Sequence, residues 1–274
     1  MAKPRMCPHC RAFVDSSDKT CPYCEQDLPM TAGRRLLREE RIRNAGAQVS
    51  FTTKLLLLVN ASLFVVSWVL TVRFTGEMNF LGGIDGQVLL LLGGKYRLSI
   101  LLHGEWWRLV TANFLHGGLM HIAFNSMSLF NLGTIAEEVF GTARYVSLYL
   151  VTGICGFVAS MMWSNSLSIG ASASICGLIG AMYAFGRISA NSDLQSVGKR
   201  WILFIAIFGF LFPAIDNAAH FGGLVSGFGF TYLCGTPGHD RDKEAIWRGI
   251  ALAAVAVTLV SFFFAYRNFA FATG

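Results

Sequence analysis

Apolar residues in this chain fall into long uncharged runs, not into the narrow stripes of soluble helices. Leu55 to Val72 has no charged residue in 18 positions, enough for a helix to cross the hydrocarbon core of a bilayer. From Arg73 to about His116 the chain is too polar and glycine-rich to cross, although Gln87 to Leu92 forms a short greasy patch suited to the membrane interface. Gly117 to Ala136 predicts a second span. Tyr145 to Gly186 is uncharged throughout, far more than one crossing requires, and Ser164-Asn165-Ser166 divides it into an antiparallel pair of helices. Trp201 to Ile215, short and with Pro213 near its end, predicts a fifth span, and Asn217 to Cys234 and Gly249 to Tyr266 complete seven. The pattern is that of an all-α polytopic membrane protein.

Composition agrees, with 54% hydrophobic and 14% charged residues in a chain whose surface mostly faces lipid. Basic residues give the orientation, because they accumulate on the cytoplasmic side of short loops. With the amino terminus inside, the cytoplasmic set is Arg34, Arg35, Arg38, Arg41, Arg43, Lys54, Arg144, Arg187, Lys199, Arg200, Arg241, Lys243 and Arg248. The outer side then holds Arg73, Lys95, Arg97, Arg108 and Arg267. A net charge of +6 therefore reads as topology and contact with the lipid bilayer, and no nucleic-acid partner is expected. The polar first 50 residues do not resemble a cleavable signal peptide, so the amino terminus is expected to be retained. The expected location is a bacterial inner (plasma) membrane.

Cys7-Pro8-His9-Cys10 and Cys21-Pro22-Tyr23-Cys24 form two CxxC knuckles whose spacing lets four thiolates close a tetrahedron around Zn2+. Two redox or idle thiol pairs are the weaker alternative, and His9 could replace one thiol, although the four-cysteine set is simpler. A closed site of this kind is a structural clip with no catalytic role. Thiolate ligands favour a reducing compartment, again the cytoplasm. Between the knuckles and the first span, Arg34 to Arg43 reads as a solvated basic linker in preference to a helix lying on the leaflet. The expected organisation is a zinc-ribbon-like domain at 1–30, a basic linker at 31–54, a six-helix core at 55–234, and a cytoplasmic loop with the seventh helix at 235–274. A cytoplasmic partner for the zinc domain stays open.

Polar groups inside a membrane are costly and mark function. Spans two, four and six all run from the outer face inward, and each opens on unusual polar residues: His121 and Asn125, then Ser172, then His220. All four consequently share one depth near the outer surface. Serine needs a base to take its proton as it attacks, and neutral imidazole suits that task near pH 7. Ser172 fits the nucleophile and His220 the base. The amides around Ala171 and Ser172, at a helix start, suit a developing oxyanion, and His121 and Asn125, four apart on one face, add side-chain donors. Ser172, Cys176, Gly180 and Ala184 recur every four residues, as do Gly223 and Gly227, a spacing of small residues that lets helix backbones approach.

From roughly Trp106 to Gly227 these residues resemble the rhomboid intramembrane serine proteases. The matching pieces are Trp107-Arg108, His116 through His121 to Asn125, Gly133-xxx-Glu137-xxx-Gly141, Gly170-Ala171-Ser172, and Ala219-His220-xx-Gly223-xxx-Gly227. The resemblance implies a rhomboid-like six-helix core plus one C-terminal transmembrane helix, a Ser172–His220 dyad without a third acid, and oxyanion donors at His121 and Asn125. It also implies cleavage of transmembrane protein substrates near their outer ends, with no cofactor for catalysis. Trp107, Arg108, Glu137, Gly223 and Gly227 take structural roles. Two departures stand out. Ala173 replaces the usual glycine after the nucleophile, and Cys176 replaces an aromatic ring that packs on the imidazole, so phenylalanine at 176 is expected to raise turnover.

Lesser candidates read blandly. Asp216 is expected to be a solvated helix start, Glu137 an anchor holding a loop, and His116 a support for the first outer connection. Cys155 and Cys234 read as small hydrophobes, and Ser174 lies on another helix face. His103 and His239 belong to no constellation. A noncatalytic protein that binds membrane helices on the same frame is the rival reading, and a solute transporter is weaker still.

Overall fold

A computed structural model of the chain describes residues 4–15, 18–28, 50–77, 83–233 and 241–273. Two compact units result, Met1–Ala45 and Gly46–Gly274. The basic run from Arg34 to Arg43 and Cys234 lie outside the described residues.

The first unit is built on a two-stranded antiparallel hairpin, β1 (Pro4–Met6) and β2 (Phe13–Asp15). Each CxxC knuckle closes in the same way. Arg11 N–H donates to the Cys7 carbonyl and Glu25 N–H to that of Cys21, both at 2.9 Å. Arg11 and Glu25, each just after the second cysteine of its knuckle, take left-handed φ of 62° and 55°. Cys7, Val14, Cys21 and Leu28 form the small buried centre.

The second unit is helical. Its elements are α1 (Phe51–Thr75), α2 (Gly86–Leu91), α3 (Arg97–His103), α4 (Arg108–Thr111) running into a 3-10 turn (Ala112–Phe114), α5 (Leu119–Phe140), α6 (Thr142–Trp163), α7 (Ser172–Ile188), α8 (Ser192–Leu211), α9 (Asn217–Leu233) and α10 (Arg241–Thr273). A long helix thus lies at each of the seven expected spans. By length and composition α1, α6, α8 and Glu244–Ala272 of α10 suit a membrane crossing, and α7 is a shorter apolar helix. In α1 the buried residues are Thr53, Asn60, Phe64, Ser67 and Thr71, while Leu58, Val65 and Val69 are exposed. Such inversion is what lipid solvent demands, since packing between membrane helices favours small and polar contacts.

Several boundaries differ from the sequence reading. Helix α8 begins at Ser192, well ahead of Trp201, because the Asn191 side chain accepts from the Asp193 and Leu194 N–H groups, each at 3.0 Å, and caps it there. It ends at Leu211, before Pro213, which disfavours helix in the residue preceding it. Helix α10 extends beyond the expected 249–266 at both ends. The greasy patch at 87–92 is not simply interfacial: Val88 and Leu89 are buried with Phe64, Ile84, Leu115 and Ile122.

Helix α7 is the central post, buried almost continuously from Ala173 to Gly186. Glycines let its neighbours touch its backbone. A Cβ on Gly223 or Gly227 of α9 would lie 2.1 Å from the Ala173 carbonyl oxygen or 1.9 Å from that of Gly177. On the far side, α10 is tied to α6 by Arg144, which pairs with Glu244 at 2.9 Å and stacks over Trp247.

Candidate active site

The chain arrives at Ser172 through Gly170, whose φ of +120° suits glycine. Any Cβ there would lie 2.6 Å from His121 Nε2, so this backbone runs against the imidazole. The first backbone hydrogen bond of α7 runs from Ile175 N–H to the Ala171 carbonyl at 3.0 Å. A helix start of this geometry leaves the N–H groups of Ser172, Ala173 and Ser174 without intrahelical acceptors, with the positive end of the dipole behind them. Ala171 itself is fully buried. Ala173 does not have positive φ, and its methyl group packs where a Cβ on Gly156 would be 2.8 Å away. Alanine in place of glycine therefore causes no backbone conflict here.

His121 Nδ1 accepts the Gly117 N–H at 3.3 Å, which assigns the ring proton to Nε2, the nitrogen facing Gly170. Asn125 uses one amide proton on the His121 carbonyl at 3.0 Å and keeps the other. Ser172, His220, His121 and Asn125 all line one cavity of about 870 Å³, together with Cys176 and aromatic residues of α8. No hydrogen bond joins Ser172 to His220 in the structure. His220 Nδ1 is buried without a hydrogen-bond partner. The site thus has a hydroxyl, an imidazole and several N–H donors in one enclosure, a set suited to acyl transfer.

The remaining sequence-marked residues hold this enclosure together. Arg108, buried, donates to Glu105 at 2.6 Å and to the Leu90 and Gly94 carbonyls at 2.5 and 3.2 Å, and stacks on Trp107 at 4.7 Å. Burial pulls its guanidinium below the ordinary value, against the opposing hydrogen bond and charge of Glu105. Glu137 accepts from Ser50, Thr52 and Thr142 at 2.5, 2.7 and 2.8 Å. Instead of holding a loop, it fastens the starts of α1 and α6. His116 is fully buried and meets His121 edge-on at 5.3 Å between ring centres. Ser174 points elsewhere, donating to Asn113 Oδ1 at 2.8 Å.

Asp216 departs from expectation. It does cap a helix start, but it is half-buried and not simply solvated: one oxygen accepts the Ala219 N–H at 3.0 Å and the other the Ser160 hydroxyl. Burial alone would raise its pKa, but donation from Ser160, Ser168 and Ala219 and the charge of Lys95 prevail, holding it below the usual carboxylate value. Lys95, in the sequence an ordinary outer-side charge, is fully buried. A lysine within a glycine-rich outer connection, and an acid one helical turn before His220, were the signals available for both.

In the amino-terminal unit the ligand atoms of Cys7, Cys10, Cys21 and Cys24 lie within 4.8 Å of one another and can hold a metal ion. Cys7 and Cys24 sulfurs are 3.7 Å apart, and those of Cys10 and Cys21 3.6 Å. A Zn–S bond of about 2.3 Å gives a tetrahedral edge of about 3.8 Å, so the cradle fits zinc. Chiefly through the Cys10 backbone N–H, the Cys7 thiol is drawn down to about 6 against desolvation, while the Cys24 thiol, against the Gln26 backbone N–H, is pushed up to about 12 by desolvation and its cysteine neighbours, as expected of thiols clustered closely enough for their charges to repel. His9 is exposed and outside the cluster.

Residues 103–237 match the family model for the Rhomboid domain. The chain is 36% identical over 179 residues to the rhomboid protease GluP of Bacillus subtilis, covering 64% of this chain and 35% of that protein. It is 31% identical over 202 residues to RHOMBOID-like protein 4 of Arabidopsis thaliana, covering 68% of this chain and 51% of the relative. Against YdcA, another rhomboid protein of B. subtilis, identity is 34% over 145 residues, covering 51% of this chain and 72% of the relative. The chain thus spans about a third of GluP and half of the Arabidopsis protein.

Proposed function

Because the chain belongs to the rhomboid family, we propose that it is an intramembrane serine endopeptidase that cleaves transmembrane proteins near the outer leaflet. The observation that carries this reading is the shared cavity of Ser172, His220, His121 and Asn125. Ser172 Oγ attacks the scissile carbonyl while His220 takes its proton. Negative charge develops on the carbonyl oxygen, where the free N–H groups at the start of α7, His121 Nε2–H and the spare Asn125 proton converge. Each such donor is worth about 3 kcal/mol in the transition state. His220 then returns the proton to the leaving amine. Water entering the cavity loses a proton to the same imidazole, hydrolyses the acyl-enzyme and frees Ser172.

A helical substrate hides its carbonyls in backbone hydrogen bonds, so the preferred substrates unwind easily at the cleavage point. In this reading the amino terminus lies in the cytoplasm of a bacterial cell and the cavity at the outer face, which the uneven distribution of basic residues supports. The amino-terminal unit is a structural zinc domain preceding a linker and the six-helix core.

Cleavage of transmembrane substrates by the reconstituted protein, with Ser172→Ala and His220→Ala alongside, tests the reading. Wild type is expected to cleave and to react with a fluorophosphonate probe, and both variants to lose about 1,000-fold or more in rate. Equal behaviour of all three toward every substrate and the probe would leave a noncatalytic helix-binding protein instead.

A further inference from the structure

His220 has no side-chain partner on Nδ1, so nothing like a triad acid aims its ring. The position of the imidazole then depends on where the backbone of α9 begins. That beginning is set by Asp216, which lies four residues before His220. Its carbonyl accepts the His220 N–H at 3.1 Å, and its carboxylate caps the Ala219 N–H at 3.0 Å. The same carboxylate reaches out of its own helix. It accepts the hydroxyl of Ser160, in the last turn of α6, and the Ser168 hydroxyl helps hold its charge.

Ser168 stands in the matching place before the nucleophile, four residues ahead of Ser172. Its backbone pairs both ways with Lys95, N–H to carbonyl at 2.9 Å in each direction. The buried Lys95 ammonium donates to the carbonyls of Ser164 and Ser166 at 3.3 and 2.9 Å. Its charge also acts on Asp216. One polar knot therefore holds both approaches, the segment that delivers Ser172 and the turn that starts α9.

We propose that Asp216 is a positioning residue for His220, and that the polar knot of buried Lys95, Ser160 and Ser168 with half-buried Asp216 sets the gap between Ser172 and His220. This rests on the Ser–His protease reading. A carboxylate that fixes the helix start, without touching the imidazole, gives a dyad the orientation that a third catalytic group would otherwise supply. Misplacement of reacting groups by about 1 Å costs about 100-fold in rate. Asp216 and Ser168 also line the edge of the cavity, but displacing Ser172 and His220 acts on the reacting atoms and leaves the rest of the cavity wall in place, so the loss falls chiefly on kcat.

The experiment measures kcat and KM for reconstituted wild type, Asp216→Ala, Asp216→Asn and Ser160→Ala, together with thermal unfolding and the fluorophosphonate reaction rate. Asp216→Ala is expected to lower kcat and the probe rate about 100-fold at unchanged KM. Asparagine keeps the cap on Ala219 but loses the charge, so Asp216→Asn recovers about tenfold of that loss. A folded Asp216→Ala protein with kcat within threefold of wild type, or with KM alone altered, overturns the proposal. Should Asp216→Ala not fold, Ser160→Ala decides: a drop in kcat of about tenfold at constant KM supports the knot, and wild-type kinetics refute it. A wild type that is itself inert, or a Ser172→Ala variant as active as wild type, refutes the protease reading and the proposal with it.

Discussion

Replacing Gly223 with alanine adds one methyl group at the point where α9 crosses α7. Its Cβ would stand 2.1 Å from the Ala173 carbonyl oxygen, where ordinary contact begins at 3.4 Å. The obstacle is backbone on a buried helix and cannot swing aside, so the helices must separate by about 1 Å for the methyl group to fit. Ala173 follows Ser172 directly, and Gly223 lies one turn beyond His220. The separation is therefore delivered to the serine and imidazole themselves. A displacement of that size lowers kcat by about 100-fold, equivalent to about 2.7 kcal/mol of barrier, and overpacking costs about 1–3 kcal/mol of stability. Gly229 of the same helix is the control, since a Cβ there meets nothing within 4 Å. Gly229→Ala should keep wild-type kcat and gain about 0.5–1 kcal/mol from reduced backbone entropy. The assay is kcat at saturating transmembrane substrate in proteoliposomes, with thermal unfolding of the same preparations. A Gly223→Ala protein with wild-type kcat and melting temperature would refute the claim that glycine at 223 sets the approach of the two helices.

Other predictions concern separate parts of the molecule. Glu137→Gln weakens three hydrogen bonds to the starts of α1 and α6 and should lower stability by about 2 kcal/mol; kcat should hold, and a fall in kcat without a fall in melting temperature would contradict the anchoring role. Metal analysis should find one zinc per chain, falling below half an equivalent in Cys10→Ser, while chelation leaves peptide cleavage nearly unchanged; less than half an equivalent in wild type would rule out the zinc clip. Cys176→Phe should raise turnover by packing an aromatic ring beside His220, and an unchanged rate counts against that idea. Because the Asp216 carboxylate is held low when folded, its stabilisation is present above the unfolded carboxylate range and lost as pH falls through the lower folded value. The melting-temperature gap between wild type and Asp216→Asn should therefore narrow from pH 7 to pH 3, and a constant gap would show that the charge is not the stabilising feature.

Positions of the helices were legible because hydrocarbon penalises charge, so uncharged runs mark where the chain can cross. Their ends were less so. Helix α8 starts at an asparagine cap among charged residues, and α10 runs past the apolar segment because helix can continue into water. The facing of α1 was not legible at all, since its protein side is the more polar one and hydropathy alone points the wrong way. Ser172, His220, His121 and Asn125 were visible as costly polar groups at the openings of apolar runs, and their common depth followed from counting crossings. What escaped was the support beneath them. Lys95, Ser160, Ser168 and Asp216 come from four separate segments, and each alone has an ordinary explanation as a loop charge, a helix hydroxyl or a cap. Only the folded chain shows that Lys95 is buried against the segment leading to Ser172 and that Asp216 joins the end of α6 to the start of α9. On the reading of Ser172 and His220 as a dyad there is no third group, so the precision of the geometry has to come from the backbone that carries them.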